Sequence, residues 1–357
     1  MENPFKFGTV VDGDYFTDRT QELVYVKQVL DSRNHLVLIS PRRFGKTSLV
    51  LKAAKETARP VLFLNFETVT DTRDLAAALL KRLFKLYPME RLRHLMRSFR
   101  FVPTISMSAV GDSVDVSFMP RIDENVVLED AFALMEKVSD ERRLIVVFDE
   151  FQEVNAIESK LDRTLRAIMQ MQHNINYVLL GSQEGMMREI FEHKHSPFYH
   201  FGTVMTIGRI PAADFADFIE TRLDSFGGVD IKTIAENIIR FTSCHPYYTQ
   251  KLAFHVWNLL NQGERTGNVV ENAVRLSNII HDIDYERLWQ SFNKTDKKIL
   301  KWMAHNASSP LTSVETGMPA STVFSALKRM MRSGFIVKGE RYGIEDPFFA
   351  RWIQDKM

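Results

Sequence analysis

The chain has 357 residues, which at about 100 to 200 residues per domain means two or three domains. Lys plus Arg number 46 against 45 Asp plus Glu, a formal charge of +1, so any basic surface is local and a protein that coats nucleic acid over its whole face is excluded. Apolar residues at 45% and charged residues at 25% exclude fibrous and disordered classes, and the single cysteine, Cys244, excludes an intramolecular disulfide or a cysteine-built zinc or iron site.

No uncharged apolar run approaches the roughly 18 residues of a membrane span, and the start MENPFKFG lacks the basic segment and apolar run of a signal peptide. The expectation is a cytoplasmic protein with no membrane partner. His35–Ser40, HLVLIS, reads as a strand and is followed by a helical stretch over Lys46–Thr57. Val61–Phe66 reads as a second strand before a helix over Leu75–Tyr87, and Leu144–Phe148 as a third. Tyr177–Gly181 is a fourth strand, after a helix over Lys160–Gln172, and Thr203–Ile207 a fifth. Apolar strands alternating with helices predict a parallel sheet covered on both faces.

Val102–Ser117 breaks this order with an alternating pattern around Gly111–Asp112, the pattern of an inserted β-hairpin that covers a sheet edge. From Pro211 the strands stop, and Ala212–Phe226, Ile231–Phe241, Tyr247–Gln262 and Val269–Trp289 read as helices. The last part has helical runs over Lys297–His305 and Ser321–Ser333, a short Ser313–Thr316 stretch, and strand-like pieces at Phe335–Lys338 and Tyr342–Ile344. Together these suggest a winged helix.

The first strand runs into Ser40-Pro-Arg-Arg-Phe-Gly-Lys-Thr-Ser48, the phosphate-loop pattern GxxxxGK[ST] with Ser40 in place of its first glycine. A loop of this kind turns backbone N–H groups inward at a helix start, so Pro41, Arg42, Arg43, Phe44, Gly45, Lys46, Thr47 and Ser48 are candidates to cradle ATP or ADP phosphates. Lys46 would reach the outer phosphates, and the Thr47 hydroxyl would hold Mg²⁺. The competing reading is a basic helix start with no ligand. Leu144–Glu150 delivers Asp149 and Glu150 at the carboxyl end of a strand, where ligands sit in open α/β sheets. Asp149 would hold the metal through water and Glu150 polarise the attacking water as catalytic base, unless the pair merely caps the next helix.

These residues, with Asn3–Gly8, Tyr15-Phe-Thr-Asp-Arg19, VVFDEFQEV, Leu179–Ser182, Ser196–Tyr199 and Cys244–Tyr248, resemble the archaeal-type ATPases, AAA+-like proteins close to the STAND class of signalling ATPases. The resemblance covers nearly the whole chain and includes a C-terminal winged helix ending in Tyr342–Phe349. It implies that Phe16 and Arg19 lie over the adenine, although an aromatic in an N-terminal strap would read the same way. It further implies that Ser182, or Gln183 in its place, senses the γ-phosphate with a catalytic role, and that Pro246, after His245, contacts base or ribose. The family has Gly where this chain has Cys244, and Gly-Arg where it has His200-Phe201. An arginine finger at the latter position is worth about 10³ to 10⁵ in rate, so its loss implies slow turnover unless Arg209 or Arg188 substitutes.

In Ser321–Ser333, Val323, Leu327 and Met330 make an apolar face, and Ser325, Lys328, Arg329 and Arg332 lie largely on another. The second set suits a recognition helix in DNA, a solvated face, or a surface for a protein partner or self-association. The expected architecture is α/β: an AAA+-like P-loop core with a five-stranded parallel sheet and inserted hairpin over 1–208, a helical lid over 209–290 and a winged helix over 291–357. The expected activity is slow Mg²⁺-dependent ATP hydrolysis that drives a switch of lid and wing. The alternatives are a nucleotide-gated DNA-binding regulator and a STAND-like protein-interaction switch with little turnover.

Overall fold

The structure, a computed structural model, describes residues 2–11, 13–100, 104–107, 114–118, 123–306, 317–338 and 342–357. The chain divides into two compact bodies, one formed by Arg19–Pro41 and Lys46–Gly208, the other by Met1–Asp18, Arg42–Gly45 and Arg209–Met357.

The first body is built on β1 (Leu36–Ile39), β2 (Val61–Asn65), β3 (Thr104–Met107), β4 (Val114–Ser117), β5 (Leu144–Asp149), β6 (Ile175–Gly181) and β7 (Thr203–Thr206). Five of them form one sheet in the order β2-β5-β6-β1-β7, with every pairing parallel. β1, β5 and β6 are buried at every residue, which is why their sequences are apolar throughout instead of alternating. The expected five strands are therefore present, with β6 starting two residues earlier than its apolar run suggested.

Local signals explain the flanking helices. Asp71 accepts a hydrogen bond from the Asp74 N–H and starts the Thr72–Leu86 helix, whose Leu75, Leu79, Leu80 and Leu83 enter the core at helical spacing. Asp123 does the same for Glu124–Ser139 by accepting from the Asn125 N–H. β3 and β4 pair antiparallel as the expected hairpin; Val102 and the turn around Gly111–Asp112 lie outside the described residues. β4 packs on the Thr72–Leu86 helix, which in turn packs on the edge strand β2, with Val116 buried and Lys81 paired to Asp115 at 3.0 Å. An apolar residue on one face of the strand and an acid on the other are what bring it to an amphipathic helix.

The second body has one continuous apolar core running from Phe5 and Phe215 to Trp352 and Ile353. Among the described residues its helices are Ala212–Leu223, Ile231–Thr242, Pro246–Asn261, Val269–Ile280, Asp282–Ser291, Lys294–His305, Ala320–Arg332 and Pro347–Lys356. The single helix expected over Val269–Trp289 is broken at His281, whose φ of −101° and ψ of 12° leave the helical region. Asp282 and Asp284 occupy the first turn of the next helix, where acids are favoured, and Asp282 accepts from the indole N–H of Trp352 at 2.7 Å. β8 (Ile336–Lys338) and β9 (Tyr342–Ile344) form an antiparallel pair after Ala320–Arg332, while Ser313–Thr316 lies outside the described residues. The N-terminal strap is fastened within this body. Asn3 donates to the Phe254 carbonyl at 3.0 Å, and Gln250 donates to the Thr17 hydroxyl at 3.2 Å. Among the described residues no helix is long and apolar enough to cross a membrane.

Candidate functional site

The register pairs Ile39 with Gly181 and Asn65 with Asp149, so the carboxyl ends of β1, β2, β5 and β6 lie at one end of the sheet. The next residues along the chain, Ser40, Glu150 and Ser182, therefore emerge at the ligand-binding end of an open α/β sheet. The Lys46–Glu56 helix supplies Lys46 and Thr47 to the same place, and five residues singled out in the sequence come together there.

The Lys46 ammonium lies 3.0 Å from Glu150 Oε1 and 4.0 Å from Asp149 Oδ1. The Thr47 hydroxyl donates to Asp149 Oδ2 at 2.8 Å, and Asp149 Oδ1 accepts from the Glu150 N–H at 3.0 Å. Glu150 Oε2 accepts from the Ser182 hydroxyl at 2.5 Å, from the Ser182 N–H at 3.2 Å and from the Gln152 amide at 2.6 Å. All of these side chains are buried apart from the half-buried Thr47. Burial alone would push the Glu150 carboxyl up, but Lys46, Gln152 and Ser182 outweigh it and hold it below the usual carboxylate range.

Ser40, in the place of the first loop glycine, donates its N–H to the Gly181 carbonyl at 3.2 Å and its hydroxyl to the Pro41 carbonyl at 3.1 Å. Ser48 is buried in the same body. Arg42–Gly45 belong to the second body, where the Phe44 ring meets His245 edge-on at 4.6 Å and the Arg43 guanidinium lies over Tyr247 at 4.5 Å. Arg42 is exposed there, and Gly45 has a φ of +86°, a conformation that favours glycine. Pro246 opens the Pro246–Asn261 helix at its first position. His245 is fully buried. Its Nε2 lies 3.2 Å from Glu345 Oε1.

Most of the remaining candidates have partners within their own bodies. Phe16 is half-buried in the second body, whereas Arg19 is buried in the first, bound to Glu22 at 2.8 Å and to the Gly208 carbonyl at 2.5 Å. Arg209 donates to the Thr242 and Ser243 carbonyls at the end of the Ile231–Thr242 helix. Arg188 is spanned by Glu184 and Glu192 on the exposed face of the Glu184–Glu192 helix. Phe201, where the resemblance implies an arginine, is buried and stacks on His35 at 4.4 Å. Gln183 reaches Glu153 at 3.4 Å. Ser325, Lys328 and Arg332 are exposed on the Ala320–Arg332 helix, while Arg329 pairs with the buried Asp296. Ser325 and Arg329 also line a groove of about 560 Å³ with Lys294 and Thr295. Sequence reasoning passed over Gln152, which only its place two residues after Glu150 could have flagged.

No protein-family model matches the chain, and no curated protein matches it. Among solved structures it is similar to the Walker-type ATPase PABY2304 of Pyrococcus abyssi, at 16% identity over 96% of this chain and 97% of that one, with a TM-score of 0.67. It is also similar to the ORC2 protein of Aeropyrum pernix (ADPNP–ADP complexes), at 14% identity over 98% of each chain and a TM-score of 0.56. The ORC1 protein of Aeropyrum pernix, solved in complex with DNA, gives 13% identity over 100% of this chain and 98% of that one, with a TM-score of 0.53. At these identities the likeness establishes the fold alone, an α/β fold with a five-stranded parallel sheet followed by a helical region.

Proposed function

We propose that this chain binds ATP with Mg²⁺ and hydrolyses it slowly. The observation that carries the reading is the convergence of Lys46, Thr47, Asp149, Glu150 and Ser182 at the carboxyl end of a parallel sheet. The donor set fits the metal: a hydroxyl and a carboxylate oxygen 2.8 Å apart are the hard oxygen ligands Mg²⁺ prefers, and Thr47 and Asp149 would hold it. When bound, Mg²⁺ would neutralise charge on the phosphate oxygens. Lys46 would exchange the Glu150 carboxylate for phosphate, and Glu150, steadied by Ser182, would take the proton of the attacking water. The loop Pro41–Ser48 would bind phosphates, and Phe16, Arg19 and Pro246 the adenine and ribose.

Slow turnover is supported by Phe201 in the expected finger position and by the carbonyl and carboxylate partners of Arg209 and Arg188. We assign 1–208 to the ATPase core, 209–290 to a helical lid and 291–357 to a winged helix, with ATP and ADP states switching lid and wing as in STAND-like proteins. The direct test is Mg²⁺-dependent phosphate release by the wild type beside Lys46→Ala and Glu150→Gln. A wild type that binds no ATP would sink the proposal.

A second reading, DNA binding through the Ala320–Arg332 helix, is favoured by the exposed Lys328 and Arg332 on the helix whose Ser325 and Arg329 line a groove with Lys294. Its signature is affinity for duplex DNA that falls with salt.

A further inference from the structure

Gln152 is almost fully buried, yet its amide is only half used. Nε2 donates to Glu150 Oε2 at 2.6 Å, while Oε1 is buried with no hydrogen-bond partner. A buried, unsatisfied carbonyl oxygen costs stability, and a methionine or leucine would fill the same slot without that cost. Packing therefore does not explain an amide here. Its donor does, because the reversed amide would set Oε1 against the Glu150 carboxylate.

The surroundings are built to hold this amide. Phe151, next to it, is locked among Phe148, Phe191 and Phe198, with ring centroids 5.1 to 6.5 Å away. On its other side is Gly181, where an added Cβ would lie 2.7 Å from Gln152 Oε1 and 2.2 Å from Met187 Sδ. Glu150 itself has a φ of 53° and ψ of 44°, a left-handed conformation that a residue with a side chain adopts at a cost. Once Lys46 turns to a phosphate, Gln152 and Ser182 are the two residues left to aim the carboxylate.

We infer that Gln152 is a positioning residue, whose amide fixes one oxygen of Glu150 so that the other is presented to the attacking water. This rests on the proposed hydrolysis for the role of Glu150, but the contact between the two side chains is tested without it.

Three variants remove the contact by different routes: Gln152→Met deletes the donor, Gln152→Asn withdraws it by one methylene, and Gly181→Ala pushes on the amide from behind. In each, kcat for ATP should fall by about 10²-fold, the effect of misplacing a reacting group by about 1 Å, with the Kd for ATP held within about threefold. In nucleotide-free protein labelled with ¹³C-Glu, the Glu150 carboxyl signal, identified by its loss in Glu150→Gln, should move at fixed pH in every variant that folds. A kcat unchanged within twofold, or a loss that follows the fraction of protein able to bind nucleotide, would overturn the inference and leave Gln152 a packing residue. Should the wild type release no phosphate, the hydrolysis reading fails instead. The carboxyl signal then decides: movement upholds the Gln152–Glu150 anchor, and a static signal overturns it.

Discussion

The Lys46 ammonium is 3.0 Å from Glu150 Oε1, so the side chain expected to bind phosphate is already paired with the carboxylate expected to act as base. With Asp149 Oδ1 at 4.0 Å, one buried cation faces two carboxylates. An anionic ligand at Lys46 must displace Glu150, and binding and release of the base become one event.

Glu150→Gln should lower phosphate release by about 10²- to 10⁴-fold while ATP binds at least as tightly as to wild type. The neutral amide frees Lys46 from its ion pair, so the ligand no longer competes with an internal carboxylate. Titration with a fluorescent nucleotide and a phosphate-release assay on the same preparation check both halves.

Lys46→Ala should lose nucleotide binding and also stability. It strands Asp149 and Glu150, both buried, without their cation, and breaking such a pair costs about 3 kcal/mol. A denaturant melt that matches wild type would contradict this account of the cluster.

The sequence made the five strands and four of the polar residues at the site legible for a definite reason. Parallel strands covered on both faces are apolar at every position, and GKTS and DE stand where such strands end. What stayed hidden depends on single backbone angles. The Glu150–Gln152 contact needs the left-handed turn at Glu150, which VVFDEFQEV does not announce. The break at His281 has neither Gly nor Pro to mark it, and the Asp282–Trp352 hydrogen bond just after it joins residues 70 apart in the chain. The partners of Arg209 and Arg188 likewise became visible only once the helices were in place.

Acid should destabilise the first body through His35. Burial, with a smaller push from Arg166, drives its value down from 6.5 to about 4, and Nδ1 accepts a hydrogen bond from the Tyr177 N–H at 3.2 Å. Between those values the unfolded chain binds a proton that the folded chain does not, so stability falls as pH drops from 6.5 toward 4, by up to about 3 kcal/mol. His35→Asn keeps an acceptor there without titrating, and its melting temperature should fall less steeply than that of wild type over this range.

On the Ala320–Arg332 helix, neighbouring basic residues should behave differently. Arg329→Ala leaves Asp296 buried without its partner and should lower stability by about 1–3 kcal/mol. The double variant Lys328→Ala/Arg332→Ala changes exposed side chains, so its stability should stay within about 0.5 kcal/mol of wild type. If the helix binds DNA, that pair should weaken duplex binding and reduce its salt slope, measured by fluorescence anisotropy at several salt concentrations.

The buried Arg19 grips the carbonyl of Gly208, and these are the first and last residues of the parallel-sheet body. Its two outer chain ends are thus clasped side by side. Apart from the four-residue excursion of Arg42–Gly45, the body is a closed loop in the chain, entered and left at one point. Such a body is suited to circular permutation, with Gly208 and Arg19 joined by a linker of a few residues and new ends opened at an exposed turn.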